Sequence, residues 1–284
     1  MIVDSRQLFQ KLLRDFSTGT IRAEKEAILL WLLENKLGLS RTEIMAGTSI
    51  TVDGSSFDGF IDRLNHHEPL QYILEETEFF GRTFSVDQSV LIPRPETELL
   101  IKDILNHFEG TGHNVKLLDI GTGSGCIAIT LALELPPARI FATDISSDAL
   151  ATAAENAKRL GAHVHFTLQN ILTDRISEIQ LDAVVSNPPY VMESEKADME
   201  KNVVMYEPSV ALFIPDSNPL LFHKAIAEKA RYSLKSGGLL LTEINARLGK
   251  ETAAMFESMG YGNVKIIKDL EGKERFVRGF SIVN

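Results

Sequence analysis

The chain has 284 residues, 44% of them hydrophobic, and a formal net charge of -10. This length allows a large buried core, and two domains of unequal size fit it best. The net negative charge disfavours a surface devoted to binding nucleic-acid phosphates, because such surfaces normally carry clustered basic side chains. One cysteine, Cys126, permits no internal disulfide, and no apolar run is as long as a membrane span, so we expect a soluble, cytoplasmic protein.

Residues 1–67 show apolar residues at helical spacing and predict a small helical bundle. Three groups carry the pattern, namely Leu8, Leu12, Leu13 and Phe16; Ala27, Leu30, Trp31 and Leu33; and Phe57, Phe60, Ile61 and Leu64. Gly38 is placed to end the second helix, while Gly54 and Ser55 mark the start of a later one. We expect a separate domain that either packs as a scaffold or docks a macromolecular partner.

Residues 68–93 have a different character. Three short apolar runs, at residues 72–74, 78–86 and 90–92, alternate with turn-prone residues. They predict short strands, forming a β-hairpin linker that leads into a second domain at residues 94–284.

Pro95 suits the first turn of the helix that should follow the linker. The acidic residues behind it suit the positive end of the helix dipole. Arg94 and Thr97 therefore either serve the start of this helix or lie near a ligand.

Strand and helix patterns then alternate to the end of the chain. Strands are predicted at residues 115–120, 139–145, 164–169, 181–186, 238–244, 264–268 and 276–282, and helices at 124–133, 147–160, 219–234 and 246–259. Such alternation predicts an α/β fold with a doubly wound, mostly parallel, seven-stranded sheet. Residues 269–275 are too few for a parallel crossover, so the last strand should be antiparallel.

A glycine-rich turn, Gly121-Thr122-Gly123-Ser124-Gly125, follows the first of these strands. Glycine is needed where a ligand lies against the backbone. A dinucleotide fingerprint would place its third glycine at Cys126, so a nucleoside-like ligand without a pyrophosphate suits this turn better.

Polar residues end the neighbouring strands. Asp144 closes the second strand and is placed to accept hydrogen bonds from ribose hydroxyls, unless it only caps the next helix. Asp119 either holds the glycine turn or meets an amine of the ligand. Gln169 and Asn170 end the third strand, where an amide either contacts an adenine amino group or forms a simple turn.

The fourth strand stops at Asn187-Pro188-Pro189-Tyr190. Two prolines cannot continue a central strand, so the chain must leave the sheet at Asn187. The residue before a proline is extended, which presents Asn187 on a stiff loop at the carboxyl end of a strand. Ligands bind at this end of open α/β sheets.

Together, the glycine turn, Asp144 and the Asn-Pro-Pro-Tyr motif resemble the Rossmann-like class I S-adenosylmethionine-dependent methyltransferases. Two branches share the last motif: amino-methyltransferases acting on nucleic-acid bases, and protein-glutamine methyltransferases of the HemK/PrmC type. The second is much closer, because five further motifs match it, namely Glu68-Pro69-Leu70-Gln71-Tyr72-Ile73, Phe79-Phe80-Gly81, Leu91-Ile92-Pro93-Arg94-Pro95-Glu96-Thr97-Glu98, Tyr206-Glu207-Pro208 and Lys268-Asp269-Leu270-Glu271-Gly272.

This resemblance implies methylation of the side-chain amide nitrogen (N5) of the glutamine in the Gly-Gly-Gln motif of class I peptide chain release factors. It implies S-adenosylmethionine as cofactor, S-adenosylhomocysteine as product, no metal, and a helical domain that docks the substrate protein. A monomer is expected, with no membrane and no stable nucleic-acid partner. An adenine-N6 methyltransferase and an inactive cofactor-binding module are the alternatives.

The resemblance also implies a set of site residues. The side-chain oxygen of Asn187 and the carbonyl of Pro188 would each accept one N–H of the substrate amide, and Tyr190 would pack against its plane. Ile171 or Leu172 stands where the family commonly has an aromatic residue. Substrate contacts are expected from Asn187, Pro188, Pro189, Tyr190, Arg94 and Thr97. Cofactor contacts are expected from Asp119, Gly121, Thr122, Gly123, Ser124, Gly125, Asp144, Ile145, Asn170, Ile171, Leu172 and Asn187.

Overall fold

The computed structural model describes residues 2–52, 56–110 and 114–282. The chain divides into two compact units, one of Met1–Glu76 with Glu200–Tyr206 and the other of Thr77–Met199 with Glu207–Asn284. Gly54 and Ser55, expected before a helix, lie outside the described residues. No described helix is long and apolar enough to span a membrane.

The helices and strands are numbered in chain order. The helices are α1 (Ser5–Asp15), α2 (Arg22–Leu37), α3 (Arg41–Ala46), α4 (Ser56–Asn65), α5 (Leu70–Leu74), α6 (Glu98–Phe108), α7 (Cys126–Glu134), α8 (Ser147–Leu160), α9 (Lys201–Tyr206), α10 (Ser209–Leu212), α11 (Leu221–Ser233) and α12 (Gly249–Ser258). The strands are β1 (Ile2–Asp4), β2 (Ser49–Thr51), β3 (Glu76–Phe79), β4 (Arg82–Ser85), β5 (Lys116–Ile120), β6 (Arg139–Asp144), β7 (Val164–Leu168), β8 (Leu181–Ser186), β9 (Val191–Met192), β10 (Phe213–Ile214), β11 (Leu234–Glu243), β12 (Tyr261–Lys268) and β13 (Glu274–Ser281). Two 3₁₀ turns lie at Pro95–Thr97 and Glu193–Asp198.

The first unit is helical, as the periodicity predicts. Its core includes the fully buried Leu12, Leu29, Leu32 and Leu33, which lie on α1 and α2. Local capping fixes the helix starts, since Asp4 accepts a hydrogen bond from the backbone of α1 and Ser40 forms a capping box with Glu43 before α3.

The second unit is built on a seven-stranded sheet in the order β12-β13-β11-β8-β5-β6-β7. The five strands from β11 to β7 are parallel, and β13 is antiparallel to both of its neighbours. Successive side chains point to opposite faces, so Leu117 packs in the core with α6 and α7 while Leu118 packs in the core with α11 and α12. This confirms the predicted doubly wound sheet with an antiparallel last strand.

Two predicted strands are wrong. Residues 72–74 lie in helix α5, which begins after Pro69, a residue suited to a helix start. A short apolar run alone does not distinguish a buried strand from a buried helix. Residues 90–92 form no strand, although the predicted hairpin is present as β3 and β4, over residues 76–85. Val90 and Leu91 instead line a cavity, which also favours apolar side chains.

Several boundaries differ from the prediction, and those of the strands differ because backbone pairing does not require apolar side chains. Strand β11 begins at Leu234, which pairs with Leu181 before an irregularity at the following glycines. Strand β12 begins at Tyr261, where Gly262 interrupts the apolar pattern but still pairs with β13. Helix α7 begins only at Cys126, after Gly125 in a left-handed conformation.

Candidate active site

A cavity of about 260 Å³ lies at the carboxyl ends of four neighbouring strands. In the sheet, Ile120 of β5 pairs with Ser186 of β8 and with Thr143 of β6, and Ser186 also pairs with Thr242 of β11. The next residue on each strand forms a single row across the sheet, which consists of Glu243, Asn187, Gly121 and Asp144. The sheet register therefore brings together Gly121, Asp144 and Asn187, which sequence motifs identified separately, and places Glu243 beside them.

The glycine turn forms one wall of the cavity, through Gly121, Thr122, Gly123 and Ser124. Gly125 and Asp119 lie outside the lining residues. Asp119 is buried and accepts a hydrogen bond from Thr122 Oγ1 at 2.7 Å, and burial raises the pKa of its carboxyl to about 7. In the structure Asp119 therefore holds the turn.

Asp144 lines the cavity beside this turn. Its Oδ2 accepts from the backbone N–H of Gly123 and its Oδ1 from that of Ser146, each at 2.9 Å. Burial raises the pKa of Asp144, while these backbone donors act in the opposite direction. The carboxylate is thus fixed in place, and each oxygen keeps acceptor capacity for a ligand hydroxyl.

The loop after β7 supplies a more apolar part of the lining. Asn170, Ile171 and Leu172 all line the cavity, as do Gln169 and the neighbouring Ile145. Asn170 Oδ1 accepts from the backbone of Leu172 at 2.9 Å, which engages the side-chain oxygen of Asn170 in its own turn. Ile171 is nearly buried, whereas Leu172 is 39% exposed. Ile171 and Leu172 therefore give this part of the lining an aliphatic surface.

Asn187 lies at the opposite wall, together with Pro188 and Pro189. Its Nδ2 donates to Thr97 Oγ1 at 3.3 Å, and the Thr97 hydroxyl donates to Glu243 Oε2 at 2.7 Å. Tyr190 is outside the lining residues, and its hydroxyl donates to Glu243 Oε1 at 2.9 Å. Glu243 is 1% exposed, and burial raises its pKa. Thr97 and Tyr190 are therefore held by one buried carboxyl group.

Arg94 also lines the cavity, and a second buried acid holds it. Arg94 Nη2 lies 2.7 Å from Glu207 Oε1, and Glu207 Oε2 accepts the backbone N–H of Ile92 at 3.3 Å. The side chain of Glu207 is 1% exposed and that of Arg94 is 32% exposed. Glu207 thus fixes the segment before the 3₁₀ turn at Pro95–Thr97.

Sequence reasoning missed part of the apolar lining. Phe222 and Ile226 on α11 face the cavity, as do Val210 and Ala211 on α10. The four-residue spacing of Phe222 and Ile226 places both on one helix face, but this periodicity equally fits a helix packed on the sheet. The spacing of these two residues was therefore visible in the sequence, but it did not distinguish a cavity lining from ordinary helix packing.

The sheet and the row of residues at its carboxyl edge match the architecture expected of a methyltransferase, and comparison with known proteins agrees. Residues 95–210 match the family described as methyltransferase small domain. A methyltransferase crystal structure from Pyrococcus furiosus shares the fold, with a TM-score of 0.53 and 20% identity over 80% of this chain and 100% of that one.

Two curated relatives identify the family more narrowly. The release factor glutamine methyltransferase of Flavobacterium psychrophilum is 42% identical over 260 residues, 90% of this chain and 91% of that protein. The release factor glutamine methyltransferase of Bacteroides thetaiotaomicron is 43% identical over 258 residues, 89% of this chain and 92% of that protein. The chain belongs to the release factor glutamine methyltransferase family, which confirms the resemblance read from its motifs.

Proposed function

We propose that this enzyme transfers a methyl group from S-adenosylmethionine to N5 of the glutamine in the Gly-Gly-Gln motif of class I peptide chain release factors. The orientation of Asn187 carries the proposal. Its amide nitrogen donates to Thr97, so its carbonyl oxygen is left to accept a hydrogen bond from a substrate amide. Family membership supports release factors as the substrate class.

An amide nitrogen is a poor nucleophile because its lone pair is delocalised into the carbonyl group. In the proposed mechanism, Asn187 Oδ1 and the Pro188 carbonyl each accept one N–H and so hold the nitrogen in a reactive orientation. Both acceptors also stabilise the positive charge that develops on nitrogen. Pro189 keeps the loop stiff, and Tyr190 supplies a ring for the plane of the amide. The methylated nitrogen then loses its proton to solvent, so no strong base is needed.

The cofactor would occupy the wall formed by the glycine turn, Asp144 and the loop after β7. S-adenosylmethionine, when bound, supplies an electrophilic methyl group on a sulfonium. Asp144 accepts the ribose hydroxyls in this assignment, and Ile145, Ile171 and Leu172 contact the adenine. Asp119 acts through Thr122 and the turn.

The first domain, proposed as residues 1–67, docks the release factor. Residues 68–93 link it to the methyltransferase domain at residues 94–284. A monomer suffices in this proposal, because the motifs that define the site lie in one chain.

Labelled S-adenosylmethionine tests the proposal directly. We expect label on a class I release factor, none on duplex DNA, and none on a release factor whose Gly-Gly-Gln glutamine is changed to glutamate. Label on DNA alone would favour the nucleic-acid enzyme, and label on neither would favour a cofactor-binding module.

Asn187→Ala tests the role of the amide. We expect turnover to be abolished, while affinity for S-adenosylmethionine stays within about tenfold, or roughly 1.4 kcal/mol. Turnover at the original rate in this variant would contradict the mechanism.

A further inference from the structure

A chain of hydrogen bonds runs from the buried carboxyl group of Glu243 to the cavity. Glu243 Oε2 accepts from Thr97 Oγ1 at 2.7 Å, and Thr97 Oγ1 accepts from Asn187 Nδ2 at 3.3 Å. We propose that Glu243 and Thr97 are positioning residues that determine which end of the Asn187 amide faces the substrate. This inference rests on the proposed function, since it assigns a cause to the orientation of Asn187.

The direction of each hydrogen bond follows from the number of available protons. A threonine hydroxyl has one proton. The ionised carboxylate of Glu243 has none, and the hydrogen bonds from Thr97 and Tyr190 together with the charge of Arg275 favour this ionised form against the effect of burial. Because Thr97 gives its proton to Glu243, it can only accept from residue 187. The nitrogen end of the Asn187 amide must therefore face Thr97, and its oxygen is directed away from Thr97.

Glu243 is well suited to impose this direction. Its two oxygens accept from two different hydroxyls, those of Thr97 and Tyr190, so neither donor can reverse without losing its partner. The backbone carbonyl of Glu243 also accepts from Nε2 of the buried His223 at 2.8 Å. A buried network in which each of these contacts is made is rigid as well as directional.

The substitution Glu243→Gln would remove this constraint, because glutamine carries a side-chain amide. Its amide nitrogen can donate to Thr97, which frees the Thr97 hydroxyl to donate to Asn187. The Asn187 amide would then turn its oxygen toward Thr97 and present N–H groups to the substrate amide, which is itself a donor. Replacing one carboxylate oxygen of Glu243 by an amide nitrogen would thus turn the Asn187 oxygen away from the substrate, which needs this oxygen as a hydrogen-bond acceptor.

Thr97→Val and Thr97→Ser form a matched pair, because valine keeps the shape without the hydroxyl and serine keeps the hydroxyl. We expect Thr97→Val to lower kcat at least about tenfold, since small displacements of a positioning group are costly to turnover. KM for the release factor and affinity for S-adenosylhomocysteine should change by less than about threefold. Thr97→Ser should recover most of kcat. Equal kcat in the two variants would overturn the proposal.

A double substitution tests direction separately from packing. In Asn187→Asp, an acceptor oxygen faces Thr97, whose proton is already given to Glu243, so we expect very low turnover. Adding Glu243→Gln supplies an N–H to Thr97 and frees the Thr97 proton for the new carboxylate. The double variant should therefore turn over at least about fivefold faster than Asn187→Asp, although Glu243→Gln alone is slower than the original enzyme. A double variant no faster than Asn187→Asp would refute the directional role.

Solvent exchange of the Asn187 side-chain protons, measured by NMR without substrate, tests this inference separately from the proposed function. In ¹⁵N-labelled protein, the side-chain NH₂ signal of Asn187 is identified by its loss in Asn187→Ala. We expect its Thr97-bonded proton to exchange more slowly with solvent in the original enzyme and in Thr97→Ser than in Thr97→Val. Failure of the original enzyme to methylate a release factor would reject the proposed function, whereas equal exchange in all three proteins would reject the network.

Discussion

Asp144→Asn probes the proposed ribose contact most directly. The two carboxylate oxygens of Asp144 already accept backbone N–H groups of Gly123 and Ser146, and in the proposed assignment their remaining lone pairs accept from the ligand. In asparagine, the amide nitrogen replaces one of these oxygens. That nitrogen then opposes a backbone N–H and can no longer accept from a ribose hydroxyl. Both the pre-set geometry and one ligand contact are lost.

The expected size of the effect follows from the charge of the acceptor. A hydrogen bond to a charged group contributes about 1.5–3 kcal/mol. The loss of one such bond corresponds to a dissociation constant about 10- to 150-fold higher. We therefore expect S-adenosylhomocysteine to bind Asp144→Asn at least about tenfold more weakly when measured by isothermal titration calorimetry.

Asp148→Asn is the matched control, because it makes the same change of charge at an exposed position in the first turn of α8. Its dissociation constant should remain within about twofold of the original. A dissociation constant within about threefold of the original for Asp144→Asn would refute the ribose contact. An equal loss in both variants would show that net charge, and not the position of Asp144, controls binding.

Three further predictions concern stability and reactivity. Gly125→Ala should lower the free energy of unfolding, measured in urea, by about 2–5 kcal/mol, because φ is +81° and a Cβ would lie 2.7 Å from Ile129 Cδ1. Gly123→Ala is the control: its φ is +54° but the space around it is open, so it should lower the free energy of unfolding by only about 1–2 kcal/mol. Burial lowers the pKa of His223 to about 4 from an ordinary 6.5, so the unfolded chain takes up the proton first and stability is lost as pH falls through this window. Urea unfolding should lose about 2 kcal/mol more between pH 7.5 and 5 in the original chain than in His223→Gln, and equal losses would contradict this assignment. Burial raises the pKa of the Cys126 thiol to about 12, so iodoacetamide should label the folded protein at least about 100-fold more slowly than the guanidinium-unfolded chain, and rapid labelling of the folded protein would contradict the burial of this thiol.

The sequence was most informative where local chemistry and tertiary structure impose the same boundary. Strand β8 ends at Ser186 because Pro188 and Pro189 cannot continue a central strand, and the observed bounds match the prediction. Helix α8 likewise matches, because Ser146 caps its start and Gly161 adopts the left-handed conformation at its end. The prolines after β8, and the serine and glycine at the ends of α8, therefore predicted these boundaries without any knowledge of the fold.

The Glu243–Thr97–Asn187 connection was not readable from the sequence. The three residues belong to distant segments, and each has an ordinary local explanation as a strand end, a helix start or a turn. Their contact depends on β11 lying beside β8, which is a property of strand order. The strand predicted at residues 72–74, which lie in helix α5, was wrong for a local reason. The few apolar residues of this segment fit a buried strand as well as a buried helix.

Strand order also explains why the two halves of the site meet where they do. From β5 the chain proceeds outward through β6 and β7, and then returns to the other side of β5 with β8 and β11. Such a reversal opens a crevice at the carboxyl ends of β5 and β8, where ligands bind in open α/β sheets. The proposed cofactor residues, Gly121 and Asp144, lie at the carboxyl ends of strands on one side of this reversal, while Asn187 and Glu243 lie at the carboxyl ends of strands on the other. Because Ser186 pairs with both Ile120 and Thr242, strand β8 fixes the register of the two sides together. A slip of one residue in β8 would turn the Asn187 side chain to the opposite face of the sheet, so the stiff Asn-Pro-Pro-Tyr stop and the register of β8 serve the same geometric requirement.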